Sequence, residues 1–204
     1  MKPFAVVSVL GLLVIALLLP VCAQETVKES STGKTFPVQL TITHEGKSYP
    51  VTLTGTTVRK KVVFKVYGMA HYAQDPQPGK TEELLAAMLT DGKAKQITME
   101  FVRDVDVASI QKAYRDGFAE NATVDEAKAI APLIETFLKY FTKDVKENDR
   151  FVLRWLPGGT ILAQTQGTDH PAITNTTFAR VLWSIWLGDD SIVDQDDLVS
   201  RFAK

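Results

Sequence analysis

The chain has 204 residues, 45% of them hydrophobic and 23% charged, with 23 Lys and Arg against 24 Asp and Glu and a single Cys. Collagen-like, low-complexity, disulfide-stapled and coiled-coil chains all need a stronger compositional bias and are excluded. The balanced charge also argues against nucleic acid as a partner, because phosphate binding needs a concentrated basic surface.

Lys2 is followed by an apolar run from Pro3 to Pro20 that closes on Val21-Cys22-Ala23. A short positive region, an apolar core and a small-residue cleavage site predict a signal peptide over residues 1–23, and hence an exported, periplasmic or extracellular protein. If the run were retained it would be an anchor, since its length approaches what a bilayer needs. Membrane contact is expected only through that segment, if it stays uncleaved. Cleavage leaves a chain without cysteine, which must stand on its own core. Residues 24–35, QETVKESSTGKT, are polar and aperiodic and read as a flexible lead-in to one domain over 36–204.

Phe36 to Ile42 and Tyr49 to Leu53 alternate around His44-Glu45-Gly46-Lys47, which predicts a β-hairpin. Thr54 to Lys60 reads as a connection. A long strand over 61–73 follows, with Val62, Phe64, Val66, Gly68, Ala70 and Tyr72 as its core face. Thr81 is placed to cap a helix ending at Asp91-Gly92, and Ala94 to Val102 returns to strand. Asp106 caps a helix whose inward stripe is Val107, Ile110, Tyr114, Gly117, Phe118 and Asn121. Thr123-Val124-Asp125-Glu126 has the form of a capping box and opens a helix to about Phe141, kinked at Pro132. Phe151–Leu156 and Thr160–Thr165 make a hairpin about Pro157-Gly158-Gly159, Asn175 or Thr176 caps a helix ended by Gly188, and a short helix is expected from Asp194 to Phe202. Strands cluster with hairpin turns while helices come in runs, so the class is α+β with a mainly antiparallel sheet covered by helices.

Few residues suggest chemistry. His44, His71 and His170 lie far apart, with no HExxH pattern and no helical His pair, so no metal is expected. Ser109, Ser184 and Ser191 lack the GxSxG elbow. Gly158-Gly159 joins two strands, whereas a phosphate loop leads into a helix; no cofactor is implied. What remains is Tyr114, Gly117 and Asn121 on one apolar stripe, a hydroxyl, a gap and an amide turned inward, which need partners if buried.

GTTVRKKVVFKVYGMAHYA (55–73), FVRDVDVASIQKAYRDGFAEN (101–121), the hairpin FVLRWLPGGT and the run FARVLWSIWLGDDSI together resemble the chalcone isomerase-like family, in its bacterial exported branch. The resemblance implies an open-faced β-sandwich, a large antiparallel sheet backed by helices. It also places the family's cleft residues on Arg59, Tyr114 and Asn121, and a helix threonine on Ser184. The family's active-site lysine falls on Gly117, and the strand threonine that polarises the substrate ketone falls on Tyr67. The first departure removes a cation and the second fills space. Family chemistry is intramolecular addition of a phenolate to an enone, which needs a cation on the nucleophile and donors for the enolate. Non-catalytic members bind fatty acids, which requires a guanidinium and a phenol on a carboxylate with apolar space behind. The resemblance therefore implies a binder of a small amphipathic carboxylate or phenolic ligand through Arg59, Tyr67, Tyr114, Asn121 and Ser184. An intramolecular lyase in which Arg59 and Tyr114 are catalytic, and a ligand-free structural module, are the alternatives.

Overall fold

The computed structural model describes residues 24–204; the predicted signal peptide lies outside them. Two antiparallel strands, β1 (Thr26–Lys28) and β2 (Thr35–Pro37), open the fold. The main sheet starts with β3 (Gln39–His44), β4 (Lys47–Lys61) and β5 (Phe64–Ala73), and continues after helix α1 (Thr81–Met88) with β6 (Lys95–Phe101). Helices α2 (Val107–Asn121) and α3 (Val124–Leu138) precede β7 (Arg150–Leu156), β8 (Thr160–Thr165), β9 (Thr168–Asp169) and β10 (Ile173–Thr174). Helix α4 (Thr176–Leu187) and a 3-10 turn at Asp196–Leu198 end the chain. Strand order is β10-β8-β7-β6-β5-β4-β3, antiparallel throughout, with β9 beside β8. The fold is the predicted α+β sheet-and-helix arrangement.

Local chemistry explains most boundaries. The Asp106 carboxylate accepts the Ser109 amide at the start of α2, and Thr123 and Glu126 form the capping box of α3. Asn175 caps α4 through the Phe178 amide. Helix α4 is apolar nearly all round, as a helix wrapped by its neighbours must be: Phe178, Ala179 and Val181 through Leu187 are all buried. It is the centre of the larger core, between the sheet and α1, α2 and α3.

Four expectations are corrected. Residues 24–35 are not a loose lead-in, because β1 pairs with β2 and Phe36 is sealed in a second core with Ile42, Val51, Leu53, Ala70 and Tyr72 on the far face of the sheet. Thr54–Lys60 is not a connection: β4 runs through it to Lys61, and the chain turns at Val62-Val63. Gly55 in this stretch marks a close approach rather than a turn, since a Cβ there would lie 1.9 Å from the Asp197 carbonyl oxygen. From Tyr67 onward β5 is buried on both faces rather than on the one expected. Tyr67, Met69 and His71 face the helices, Ala70 and Tyr72 face the second core, and Val62 and Phe64 are exposed. The expected last helix shortens to the 3-10 turn, whose segment is bound to β4 by the Arg201 amide donating to the Thr54 carbonyl.

Candidate functional site

The antiparallel register sets Arg59 on β4 opposite Tyr67 on β5. Arg59 is half-buried, and one guanidinium nitrogen donates to the Ile192 carbonyl in the loop after α4. A guanidinium has five N–H donors, so this bond leaves capacity for an anion. Tyr67 is buried, and its hydroxyl accepts the Trp186 indole N–H at 2.9 Å. Burial pushes the Tyr67 phenol up to about 12, against the opposing pull of the Trp186 N–H and the Arg59 charge. Arg59 is thus close enough to act electrostatically on this hydroxyl.

Tyr114 comes to the same place from α2. Its ring stacks on Phe141 at 4.9 Å and meets Phe137 and Trp186 edge-on at 5.1 and 6.1 Å. Burial raises its phenol well above the usual range, and the neighbouring Tyr67 adds to this. The Tyr114 hydroxyl forms no hydrogen bond to another described residue. Tyr114 is buried, at 7% exposure, and offers an unused donor within an aromatic core.

Asn121 and Ser184 lie apart from this group. Seven residues on one helix place Asn121 about 10 Å beyond Tyr114. A Cβ on Gly188 would be 3.0 Å from the Asn121 side-chain oxygen and 2.9 Å from Ser184 Cβ, so the two sit together at the α2–α4 contact. Each is satisfied within its own helix, Asn121 donating to the Gly117 carbonyl and Ser184 to the Arg180 carbonyl. Between the two groups is Gly117, where an added Cβ would stand 3.0 to 3.2 Å from three atoms of Ile185. The gap read from the sequence is occupied by the neighbouring helix.

The space between sheet and helices is largely filled by rings, with Phe137 meeting Phe118, Phe141 and Phe178, and Phe101 meeting Tyr67 and Phe151. Open cavities lie elsewhere. One of about 500 Å³ runs beside β4 between Lys28–Ser31 and Ser191–Asp194. Another, of about 400 Å³, lies between α1 and the loop Gln74–Gly79 and reaches Lys95. The buried Lys95 ammonium is already committed to the Thr90 and Lys93 carbonyls and to the Trp155 ring; burial lowers it to about 8.

A model of the chalcone isomerase-like family matches residues 30–198. The chain belongs to this family. A protein of known structure, a fatty-acid binding protein from Arabidopsis thaliana, superposes with a TM-score of 0.69 over 87% of this chain and 96% of that one. The two are 16% identical, so the likeness is one of fold. No curated protein matches the sequence.

Two participants are invisible to family pattern and to helical spacing. Trp186 supplies the N–H held by Tyr67, and Ile192 supplies the carbonyl that orients Arg59. Trp186 carried one signal, since a buried indole N–H must find an acceptor. Ile192 carried none, because its role is made by backbone.

Proposed function

We propose that this protein binds a small amphipathic carboxylate, fatty-acid-like, with the head group at Arg59 and Tyr114. The observation that carries this reading is the pairing of a half-buried guanidinium with spare donors and a nearly buried phenol hydroxyl with no protein partner, both beside Tyr67. A carboxylate removed from water must be paired and hydrogen-bonded, and these two groups supply a charge-assisted bond and a neutral one. The acyl chain would lie against the aromatic side chains between sheet and helices. The fatty-acid binding of the Arabidopsis protein with this fold supports the same reading. Asn121 and Ser184 enter as wall rather than as donors, since both are satisfied within their helices. Export after Ala23 is part of the proposal; protein recovered outside the cytoplasm should begin at Gln24 by N-terminal sequencing, and one beginning at Met1 refutes cleavage.

Titration with a fluorescent long-chain fatty acid tests the site. Arg59→Ala should weaken binding about tenfold to a hundredfold, the value of a charge-assisted bond of roughly 1.5 to 3 kcal/mol. Arg59→Lys recovers part of this because the planar fork is lost. Tyr114→Phe costs on the order of 1 kcal/mol. Variants that bind like the parent, or a methyl ester that binds as well as the acid, refute the carboxylate site.

The filled aromatic core favours one second reading, a structural module that takes no ligand. The same titration separates the two, since a module gives no saturable binding.

A further inference from the structure

The β4–β5 hairpin ends in three exposed apolar residues: Val62 is 89% exposed, Val63 77% and Phe64 59%. The hairpin overhangs the sheet there. Strand β6 leaves β5 at Tyr67, β3 leaves β4 at Thr52, and the last pairs, Lys60 with Lys65 and Lys61 with Phe64, join only each other. Val62 also has φ of 57°, while Val63 does not share the left-handed region. A positive φ at the first central residue alone is the pattern of a type II′ turn, which favours Gly at that position. A β-branched residue in this conformation, fully in water, contributes nothing to the fold and strains the turn.

The hairpin itself is cationic. From Gly46 to Gln74 the sequence has no Asp or Glu but contains Arg59, Lys60, Lys61 and Lys65. Arg103 lies over the Phe64 ring at 4.8 Å. None of Lys60, Lys61, Lys65 and Arg103 forms an ion pair with a described carboxylate. Asp106, which senses Lys61, is engaged with Ser109 at the start of α2.

We infer that the Val62–Phe64 tip docks on an anionic lipid surface. The three apolar side chains enter the boundary between head groups and acyl chains, while Lys60, Lys61 and Arg103 stay among the anionic head groups; the Lys65 ammonium is held by the Ser31 carbonyl. Long amines flanking a convex apolar crest suit that geometry, because their stems lie along apolar surface and their charges remain solvated. A protein partner would instead need a flat or complementary face, and lysine is depleted from such contacts. The inference stands independently of the ligand proposed above.

The test uses the full chain carrying Phe64→Trp as a depth reporter. The native Trp155, Trp183 and Trp186 are at most 1% exposed, and the chain without the reporter gives their background. The reporter reads the depth of the hairpin tip and not that of the N-terminal apolar run. Vesicles of phosphatidylcholine, alone or with about one third phosphatidylglycerol, are prepared with brominated acyl chains as quenchers. A blue shift and quenching on the anionic vesicles alone are expected, weakening with added salt. Lys60→Gln with Lys61→Gln should weaken binding about 25-fold, a factor of about five for each cation at the surface. Val62→Gly with Val63→Ser should abolish insertion while leaving the melting temperature unchanged or higher. The inference is overturned by absent quenching on anionic vesicles, by equal quenching on neutral ones, or by indifference to the lysine changes. A blue shift that follows protein concentration without lipid also overturns it, and assigns the tip to a second copy of the chain.

Discussion

Gly117 shows how one missing side chain limits chemistry. The resemblance sets a lysine at this place, but the backbone of α2 packs so closely on Ile185 that even a methyl group would crowd it. Gly117→Ala gains helix propensity, roughly 0.5–1 kcal/mol, yet Ile185 is held inside the most buried helix and cannot yield. The variant should melt below the parent in a thermal scan, and adding Ile185→Val should recover part of the loss; an unchanged or raised midpoint would refute the close contact. With no cation at Gly117 and the bulk of Tyr67 in the place of a small hydroxyl, the protein should produce no flavanone from a chalcone beyond the spontaneous rate. Loss of chalcone absorbance that requires Arg59 would establish the lyase instead. At this scale the sequence was informative where helical spacing or family pattern applied, as for Tyr114 on its apolar stripe. It was silent where a carbonyl did the work, as Ile192 does for Arg59, because main-chain positions leave no residue-type signature.

His71 ties four elements together. Trp183 can only donate, so its indole N–H at 3.3 Å makes the His71 Nε2 an acceptor and puts the proton on Nδ1. Nδ1–H then donates to Thr54 Oγ1 at 2.7 Å, and the Thr54 hydroxyl donates to the Leu198 carbonyl at 2.7 Å. The relay runs from α4 through β5 and β4 to the C-terminal segment, and it works only with a neutral ring. Burial, with the Lys95 charge adding to it, lowers His71 from 6.5 to about 3. Below pH 6.5 the unfolded ring gains a proton that the folded ring refuses, so this contribution to stability is whole above pH 6.5 and lost as pH falls toward 3. Each pH unit of that separation is worth about 1.4 kcal/mol, a large share of the roughly 5–15 kcal/mol that holds a domain together. Urea midpoints should therefore drop steeply across this window, and His71→Gln should flatten the drop; parallel slopes would remove His71 as the cause. The same hairpin shows why an element was misplaced. Val62-Val63 contains none of the Gly, Asn, Asp or Pro that announce a turn, whereas Gly55 imitates one inside a strand, so residue preferences moved the bend by several positions.

For the molecule as a whole, capping signals and alternation made the order of elements and the α+β class legible, while the filled interior depended on how aromatic residues from six separate segments meet. A ligand at Arg59 and Tyr114 should act on this whole. Fatty acid at a hundred times its dissociation constant adds about 2.7 kcal/mol, and about 2–4 °C per kcal/mol applies at this size, so the melting temperature should rise by roughly 5–11 °C. An unmoved midpoint at saturating fatty acid would mean that the rings leave no room. The chain's last segment also has a bearing on its birth. The Thr54 hydroxyl and carbonyl, the close approach at Gly55 and the guanidinium of Arg59 are all met by residues 192–201, and 133 positions separate Arg59 from Ile192. At roughly 5–20 residues per second, β4 leaves the ribosome some 7–27 s before its covering exists. Until residues 192–201 emerge this half of β4 is an open strand edge, and a nascent chain stalled before Ile192 should stay sensitive to protease where a chain carrying them resists it.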